Sequence, residues 1–221
     1  VEQRPLLGDI VLNGQATTIF AKANTGKTLI ILSLIIAAIK EGRIDPSKLT
    51  YINMDDNSSG LVEKVRLADE YGFHMVADGH QGFEAKEFRA VMEKMIEANS
   101  VNGTIVVLDT LKKFVNTMDK GKSSNFAKVV RQFVLKGGTV IALAHANKNP
   151  GPDGKIVYSG TTDIVDDFDC AYTLAALPSQ PDASEKVVEF ENIKRRGNVT
   201  STAAYAYSLE RNISYEELLL T

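Results

Sequence analysis

The residues of this chain best suited to chemistry are 21–28, which read Ala-Lys-Ala-Asn-Thr-Gly-Lys-Thr. They follow a strand-like run and open a helix-like run, the context in which a glycine-containing loop wraps a phosphate. The backbone amides of such a loop point at the anion, the lysine reaches the outer phosphates, and the threonine hydroxyl ligates Mg²⁺. We therefore expect ATP and Mg²⁺ to bind here. The expected nucleotide-binding residues are Ala23, Asn24, Thr25, Gly26, Lys27 and Thr28.

The loop departs from the usual pattern, G-x-x-x-x-G-K-[S/T], at its first position, where Ala21 stands in place of glycine. That glycine eases a tight turn, and alanine is its smallest replacement, so we expect an altered turn and an intact site. The alternative is a capped helix after a strand, in which Gly26 and Lys27 have no role in binding.

Two apolar runs end in carboxylates. One ends in Asp109, and the other is followed by Asp55 and Asp56. Parallel strands deliver their carboxyl ends to one edge of a sheet, where ligands bind. We expect Asp109 to hold Mg²⁺ with Thr28. We expect Asp55, in preference to Asp56, to orient or deprotonate the attacking water. Either carboxylate could instead end a strand or cap a helix.

Strand and helix signals alternate along the chain, which predicts an α/β fold with a mostly parallel sheet. We treat residues 1–221 as one domain, which can be an excised part of a longer chain. The predicted helices span 27–40, 61–71, 84–99, 124–135, 162–168 and 214–220. The predicted strands span 17–20, 49–54, 74–77, 104–108, 139–144, 170–175, 187–193 and 202–209.

The charge of the chain argues against a general electrostatic binder of nucleic acid. Lysine and arginine total 25 and aspartate and glutamate total 28, which gives a net charge of −3. Any contact with nucleic acid must therefore come from local basic patches or from a ring of subunits.

The single cysteine, Cys170, excludes an intramolecular disulfide and favours a reducing compartment, so we expect a cytoplasmic protein. Cys170 lies in an apolar run, where a small buried hydrophobe is more common than a nucleophile. The longest apolar stretch, residues 29–39, is too short to cross a bilayer, and we expect no association with a membrane.

Taken together, these landmarks resemble the RecA-like core of P-loop ATPases, and among them the hexameric replicative DNA helicases of the DnaB and plasmid RepA types. The resemblance covers roughly residues 8–210. It implies a twisted, mostly parallel sheet flanked by helices, with an antiparallel extension at the C-terminal end. It also implies an ATP-hydrolysing hexameric ring that moves along single-stranded DNA. The segments that carry it are 21–28, 51–56, 104–109, 141–148, 159–166 and 191–197.

The resemblance also implies roles for three later residues. His145 falls at the family's polar sensor, which would detect the γ-phosphate and relay hydrolysis to the loop that follows. Lys194 and Arg196 match a Lys-x-Arg that reaches the ATP site of the neighbouring subunit, and Arg195 would substitute if the register were off by one. The alternatives are a histidine satisfied at a strand end and a solvated turn between two strands. The expected catalytic residues are Lys27, Asp55, His145, Lys194 and Arg196.

The family's DNA-facing loops fall on residues 112–123 and 147–160. In a ring of six, one lysine from each subunit would surround a strand with positive charge. Neither loop contains a pair of aromatic residues for stacking on bases, so binding would be phosphate-led and tolerant of sequence. The alternative is that these lysines are only solvated. They are Lys112, Lys113, Lys120 and Lys122 in the first loop, and Lys148 and Lys155 in the second.

Two other functions remain open from the sequence. One is a strand-exchange or clock-type RecA relative, which builds filaments or double rings from the same core. The other is a nucleotide-dependent scaffold or regulator that binds ATP with little hydrolysis. Ala21, together with an aspartate pair where glutamate is more usual, keeps this second function open.

Overall fold

A computed structural model of the chain describes residues 4–54, 58–78, 84–116, 123–146, 152–153 and 162–209. The strands within these ranges are β1 (Pro5–Leu7), β2 (Val11–Leu12), β3 (Ala16–Ala21), β4 (Leu49–Asn53), β5 (His74–Ala77), β6 (Ile105–Asp109), β7 (Thr139–His145), β8 (Cys170–Ala176), β9 (Glu185–Lys194) and β10 (Thr202–Ser208). The α-helices within them are α1 (Lys27–Lys40), α2 (Ser58–Tyr71), α3 (Phe88–Glu97), α4 (Leu111–Asn116), α5 (Ser123–Leu135) and α6 (Thr162–Asp167). Short 3-10 turns at Pro46–Lys48 and Ala85–Glu87 precede β4 and α3.

Eight of these strands form the central sheet, in the order β10-β9-β8-β3-β7-β6-β4-β5. The strands from β8 to β5 in that order run parallel, whereas β9 and β10 join antiparallel at one edge. The parallel strands are connected through helices, as parallel pairing requires. The predicted α/β fold with an antiparallel C-terminal extension is confirmed.

The two faces of the sheet carry separate apolar cores, because successive side chains of a strand point to opposite faces. Ile19, Val107 and Ile141 lie in the core that contains α1. Phe20 and Leu108, each one residue further along its strand, lie in the core that contains α3 and α5. A sheet buried on both faces accounts for the nearly unbroken apolar runs of β6 and β7.

Helix α1 is apolar around most of its circumference, and it is accordingly buried against the sheet. Helix α5 is amphipathic, with Phe126, Val129, Val130 and Phe133 spaced to form one apolar face in the second core. Within the described residues, no helix has both the length and the apolar character needed to cross a bilayer.

Most predicted elements within the described residues are confirmed, two of them, α1 and β5, with the predicted bounds. The helix predicted over 84–99 is α-helical only at Phe88–Glu97. It ends because Asn99 adopts a left-handed φ of 52° and Ser100 N donates to Met95 O, a common helix stop. The helix predicted over 214–220 lies outside the described residues.

Among the strands and α-helices of the described residues, three were not predicted: β1, β2 and α4. The first two are a pair of short strands, and α4 has only six residues. Cys170 is fully buried, as expected from its apolar neighbours, and this burial raises the pKa of its thiol above the usual value.

Candidate functional site

The phosphate loop connects the end of β3 to the start of α1. Its turn closes where Thr25 N and Thr25 Oγ1 both donate to Lys22 O, at 3.3 and 2.8 Å. Gly26, directly before α1, has φ of 101°, and Asn24 has φ of 62°. A φ of 101° favours glycine strongly, which explains why the second glycine of the pattern is present here.

Ala21 is the last residue of β3 and pairs with His145 of β7 and Leu174 of β8. It is buried in the regular strand, and its φ is not in the left-handed region. Alanine at this position therefore requires no unfavourable backbone conformation, and the loop that follows still adopts its turn.

Lys27 and His145 meet at the end of the two central strands. The Lys27 side chain is only 5% exposed, and Nζ lies 3.5 Å from His145 Nδ1. His145 itself is exposed at the end of β7. The lysine that would contact the outer phosphates and the predicted sensor are thus brought together at the carboxyl edge of the sheet.

Asp109 lies on the face of the sheet that carries α1, because successive side chains of β6 alternate between the two faces and Asp109 follows Val107 by two residues. Thr28 Oγ1 donates to Asp109 Oδ2 at 2.9 Å, and Tyr51 OH donates to the same oxygen at 2.6 Å. Asp109 is fully buried, and its other oxygen, Oδ1, has no hydrogen-bond partner among the described residues. The structure therefore brings together the two residues predicted to bind magnesium.

These side chains fit Mg²⁺. A buried carboxylate oxygen without a partner is costly, and a hydrated cation would satisfy it. Mg²⁺ keeps several waters and takes one or two protein ligands plus phosphate oxygens, so it needs no dense protein cluster. The described part of the chain has no group of three or more His, Cys, Asp or Glu arranged for a metal.

Tyr51 is a site residue that the sequence alone did not indicate. It is a fully buried tyrosine on β4, and a buried tyrosine hydroxyl normally finds a partner. The register pairs Tyr51 with Val107, two residues before Asp109, so both side chains lie on the α1 face. A tyrosine in an otherwise apolar strand was the available signal.

Asp55, Asp56 and the lysines of residues 117–122 and 147–160 lie outside the described residues. The first half of the predicted DNA-facing loop 112–123 is not a loop. Lys112 and Lys113 instead lie on α4, where both are exposed, while Leu111 and Phe114 anchor that helix in the second core. The helix forms because these two apolar residues, three apart, lie on one helical face.

Lys194 and Arg196 lie at the opposite end of the sheet from the phosphate loop. Lys194 pairs with Ala171, and Ala171 pairs with Thr18 of β3. Ala21 is three residues further along β3, which corresponds to roughly 10 Å. These two side chains are therefore not brought to the nucleotide site of their own chain.

Both cations are held by groups of their own chain. Lys194 Nζ donates to the carbonyl oxygens of Val165 and Asp166 at 2.9 and 2.8 Å. The Arg196 side chain is 64% exposed, and its NH1 lies 2.6 Å from Asp169 Oδ1. Arg195 NH2 donates weakly to an exposed serine hydroxyl at 3.4 Å.

Asp169 is the buried anchor for this region. Its side chain is only 2% exposed and also contacts Arg131 NH1 at 3.1 Å, while Oδ2 accepts from Ala16 N at 2.9 Å. The ion pair with Arg196 therefore ties the turn after β9 to α5 and to the start of β3.

Two further residues contact the phosphate loop from the antiparallel edge. Lys186 Nζ donates to Asn24 O at 2.7 Å, and Tyr207 OH donates to Thr25 O at 3.1 Å. The sequence did not indicate these contacts, because they join positions more than 160 residues apart.

A family model described as "AAA domain" matches residues 2–151, which is 150 of the 221 residues. The matched segment contains the phosphate loop, Asp109 and His145. No curated protein matches the chain. Because the family model covers more than half of the chain, and the phosphate loop within it has the expected geometry, the chain belongs to the AAA domain family and is a P-loop ATPase.

Proposed function

We propose that this ATPase works as a ring of identical subunits that hydrolyses Mg·ATP to move along single-stranded DNA, as replicative helicases do. The observation that carries the proposal is the separation of the candidate catalytic groups between two ends of the sheet. Lys27, Thr28 and Asp109 meet at the carboxyl edge, whereas Arg196 lies exposed at the other end. A cation so placed could complete a nucleotide site only on another subunit, and a closed ring satisfies every site in that way.

Within one subunit, the proposed roles follow from the positions of the side chains. Lys27, almost buried, contacts the β- and γ-phosphates, and the amides that open α1 bind the β-phosphate. Thr28 and Asp109 hold Mg²⁺, which when bound would neutralise charge on the phosphate oxygens. His145, beside Lys27 Nζ, senses whether the γ-phosphate is present. Asp55 orients the attacking water.

Between subunits, Arg196 acts as an arginine finger and Lys194 supports it. A guanidinium is always charged and can donate two parallel hydrogen bonds, which suits charge that spreads over the oxygens of a transferring phosphoryl group. The Arg196 side chain is 64% exposed, so a neighbouring chain can reach it. Its ion pair with Asp169 holds the guanidinium in place, because Asp169 is itself fixed by Ala16 N.

The proposed DNA contact is basic and adjoins the metal carboxylate in sequence. Helix α4 begins at Leu111, two residues after Asp109, and carries Lys112 and Lys113 exposed to solvent. A movement at Asp109 would be transmitted to this helix through a single intervening residue, Thr110, whose Oγ1 donates to Leu143 O. Phosphate-led contacts of this kind bind DNA without reading its sequence.

The test is ATP turnover with and without single-stranded DNA, together with strand separation on a forked duplex. We expect DNA to stimulate turnover and the intact protein to unwind the fork. Lys27→Ala is the control and should abolish both activities. Turnover that is indifferent to DNA, with no unwinding, would contradict the motor. Tight Mg·ATP binding with turnover no faster than that of Lys27→Ala would instead support a nucleotide-dependent scaffold.

A further inference from the structure

At its open end, away from the turn, the β9–β10 hairpin donates hydrogen bonds to two consecutive carbonyl groups of the phosphate loop. Lys186 of β9 and Tyr207 of β10 lie directly opposite each other in the antiparallel register. Lys186 Nζ donates to Asn24 O at 2.7 Å, and Tyr207 OH donates to Thr25 O at 3.1 Å. One cross-strand pair therefore holds two successive peptide groups of the loop.

Holding a carbonyl oxygen also fixes the amide of the same peptide group. A trans peptide is planar, and its N–H points away from its C=O. A donor on Thr25 O therefore sets the direction of the Gly26 N–H, which belongs to the same peptide group. The amides of this part of a phosphate loop are the groups that bind phosphate oxygens.

The backbone has a positive φ on both sides of Thr25. Asn24 has φ of 62° and Gly26 has φ of 101°. Glycine adopts such an angle freely, whereas asparagine at φ of 62° is uncommon and is maintained by the surrounding structure. The hairpin supplies two donors at this point, so the loop keeps its shape before any nucleotide arrives.

The surroundings of Tyr207 suit a fixed donor. The residue is 7% exposed, and burial raises the pKa of its hydroxyl, which therefore stays protonated at neutral pH. Lys186 Nζ lies 5.9 Å from the centre of the Tyr207 ring, within range of a cation–π contact. A Cβ at position 26 would come within 2.8 Å of the Tyr207 hydroxyl, so the glycine also makes room for the tyrosine.

We propose that Lys186 and Tyr207 are positioning residues for nucleotide binding: Tyr207 orients the peptide group whose Gly26 N–H is set for phosphate, and Lys186 holds the preceding peptide group in the turn that Thr25 N closes on Lys22 O. The proposal rests on nucleotide binding at residues 21–28. It does not depend on whether the protein acts on DNA. Its failure would therefore leave the helicase hypothesis untouched, and the failure of that hypothesis would not affect it.

Tyr207→Phe is the sharpest variant, because it keeps the ring and removes only the hydroxyl. We expect the Kd for Mg·ATP to rise about 3- to 10-fold, the usual worth of one hydrogen bond. Because the loop amides contact phosphate before and during hydrolysis, KM should rise by a similar factor while kcat changes little. Lys186→Met should behave in the same way, and Lys186→Arg, which keeps a donor, should recover part of the loss.

Tyr205→Phe is the matched control. Tyr205 lies two residues earlier on the same face of β10. Its ring packs edge-on against that of Phe190, with the two ring centres 5.8 Å apart. Its substitution removes a hydroxyl from the same strand without touching the loop. We expect wild-type affinity for Mg·ATP and, without nucleotide, a melting temperature no lower than that of Tyr207→Phe, which loses a buried hydrogen bond.

The double variant Lys186→Met/Tyr207→Phe tests whether the two donors act on the same loop. Both residues hold the same short loop, so the second loss should add less than the first, and the combined rise in Kd should be smaller than the product of the single effects. An unchanged Kd in Tyr207→Phe would overturn the proposal. So would a rise in Kd matched by Tyr205→Phe, because that would mean the hairpin acts only through its packing.

Discussion

The two oxygens of the Asp109 carboxylate have different surroundings. Oδ2 accepts hydrogen bonds from Thr28 Oγ1 and Tyr51 OH, which fix the plane of the carboxylate. Oδ1 is buried and has no partner among the described residues. Two donors on one oxygen therefore present the other oxygen in a set direction, which is what a metal ligand requires. In the proposed site, Tyr51 would therefore act on Mg²⁺ through Asp109 and not by contact with the ion.

Removal of the Tyr51 hydroxyl should raise the Mg²⁺ concentration that ATP binding requires. For Tyr51→Phe we expect the Mg²⁺ concentration that gives half-maximal ATP binding to rise about tenfold, because partners that orient a metal ligand commonly have effects of this size. The free energy of unfolding should fall by about 0.5–1.5 kcal/mol through the lost hydrogen bond. The measurement is a titration of ATP binding with Mg²⁺, with unfolding in urea alongside.

Tyr172→Phe is the control for that experiment. Tyr172 is also fully buried, and its hydroxyl donates to Ile10 O at 2.8 Å, away from the site. Its loss of stability should resemble that of Tyr51→Phe, with the magnesium requirement unchanged. If both variants keep the wild-type magnesium midpoint, Tyr51 has only a structural role.

Among the elements, α1 is the one that the sequence specifies most completely. Its apolar residues occupy most of its circumference, and Ile30, Ile31 and Ile35 are fully buried in the core that also contains residues of β1 and β2. The helix carries Lys27 and Thr28 in its first turn. The packing of its apolar residues therefore fixes where these two side chains lie relative to the end of β6.

Truncation in the buried part of α1 should destabilise the whole chain. For Ile35→Ala we expect the free energy of unfolding to fall by about 2–5 kcal/mol, because the lost contacts leave a cavity. Ile39→Ala is the same change one turn later, at a partly buried position, and should lower the free energy of unfolding clearly less. Urea unfolding measures both, through the shift in midpoint at constant m. Equal losses would show that α1 is not packed as described.

Patterns within one element were predictable from the sequence. The apolar run of α1, the buried strand before Asp109 and the spacing of residues 21–28 are each contained in a short stretch of chain. These patterns predicted that Lys27, Thr28 and Asp109 would lie close together, and at which edge of the sheet. Helix α4 was not predicted, because six residues carrying two lysines give a weak helical pattern.

The contacts of the antiparallel edge with the phosphate loop were not predictable. The bonds of Lys186 and Tyr207 to the phosphate loop depend on how the antiparallel edge folds back beside β3, and no local pattern specifies this. The ion pairs of Asp169 were not predictable either. Its local sequence is typical of a loop, yet its side chain is buried and contacts Arg131 and Arg196. Strand order in the sheet decides such contacts, and a single sequence gives only the order of strands along the chain.

On the scale of the whole molecule, β9 runs from the phosphate loop to the turn that carries Arg196. Its second residue, Lys186, contacts the phosphate loop, and its last, Lys194, lies beside the turn that carries Arg196. At about 3.3 Å per residue the strand covers roughly 26 Å between them. In the proposed ring, one strand would thus connect the nucleotide site of its own subunit with the site of the next.

Mixing two inactive variants tests that arrangement. Lys27→Ala loses its own phosphate contact but keeps Arg196, whereas Arg196→Ala keeps its phosphate loop but supplies no finger. In randomly mixed rings, about a quarter of the sites pair an intact loop with an intact arginine, so turnover should recover to roughly that fraction of wild type. ATP hydrolysis against mixing ratio is the measurement, with particle size checked for each variant.

Arg195→Ala is the matched control, because it removes a neighbouring exposed arginine that makes one weak contact. It should keep activity on its own. If Arg195→Ala is inactive and recovers on mixing with Lys27→Ala, while Arg196→Ala is active, the finger lies one residue earlier. If neither arginine variant recovers in mixtures that still assemble, the two cations do not act across a subunit boundary. Arg196 would then serve its own chain, through the buried carboxylate of Asp169.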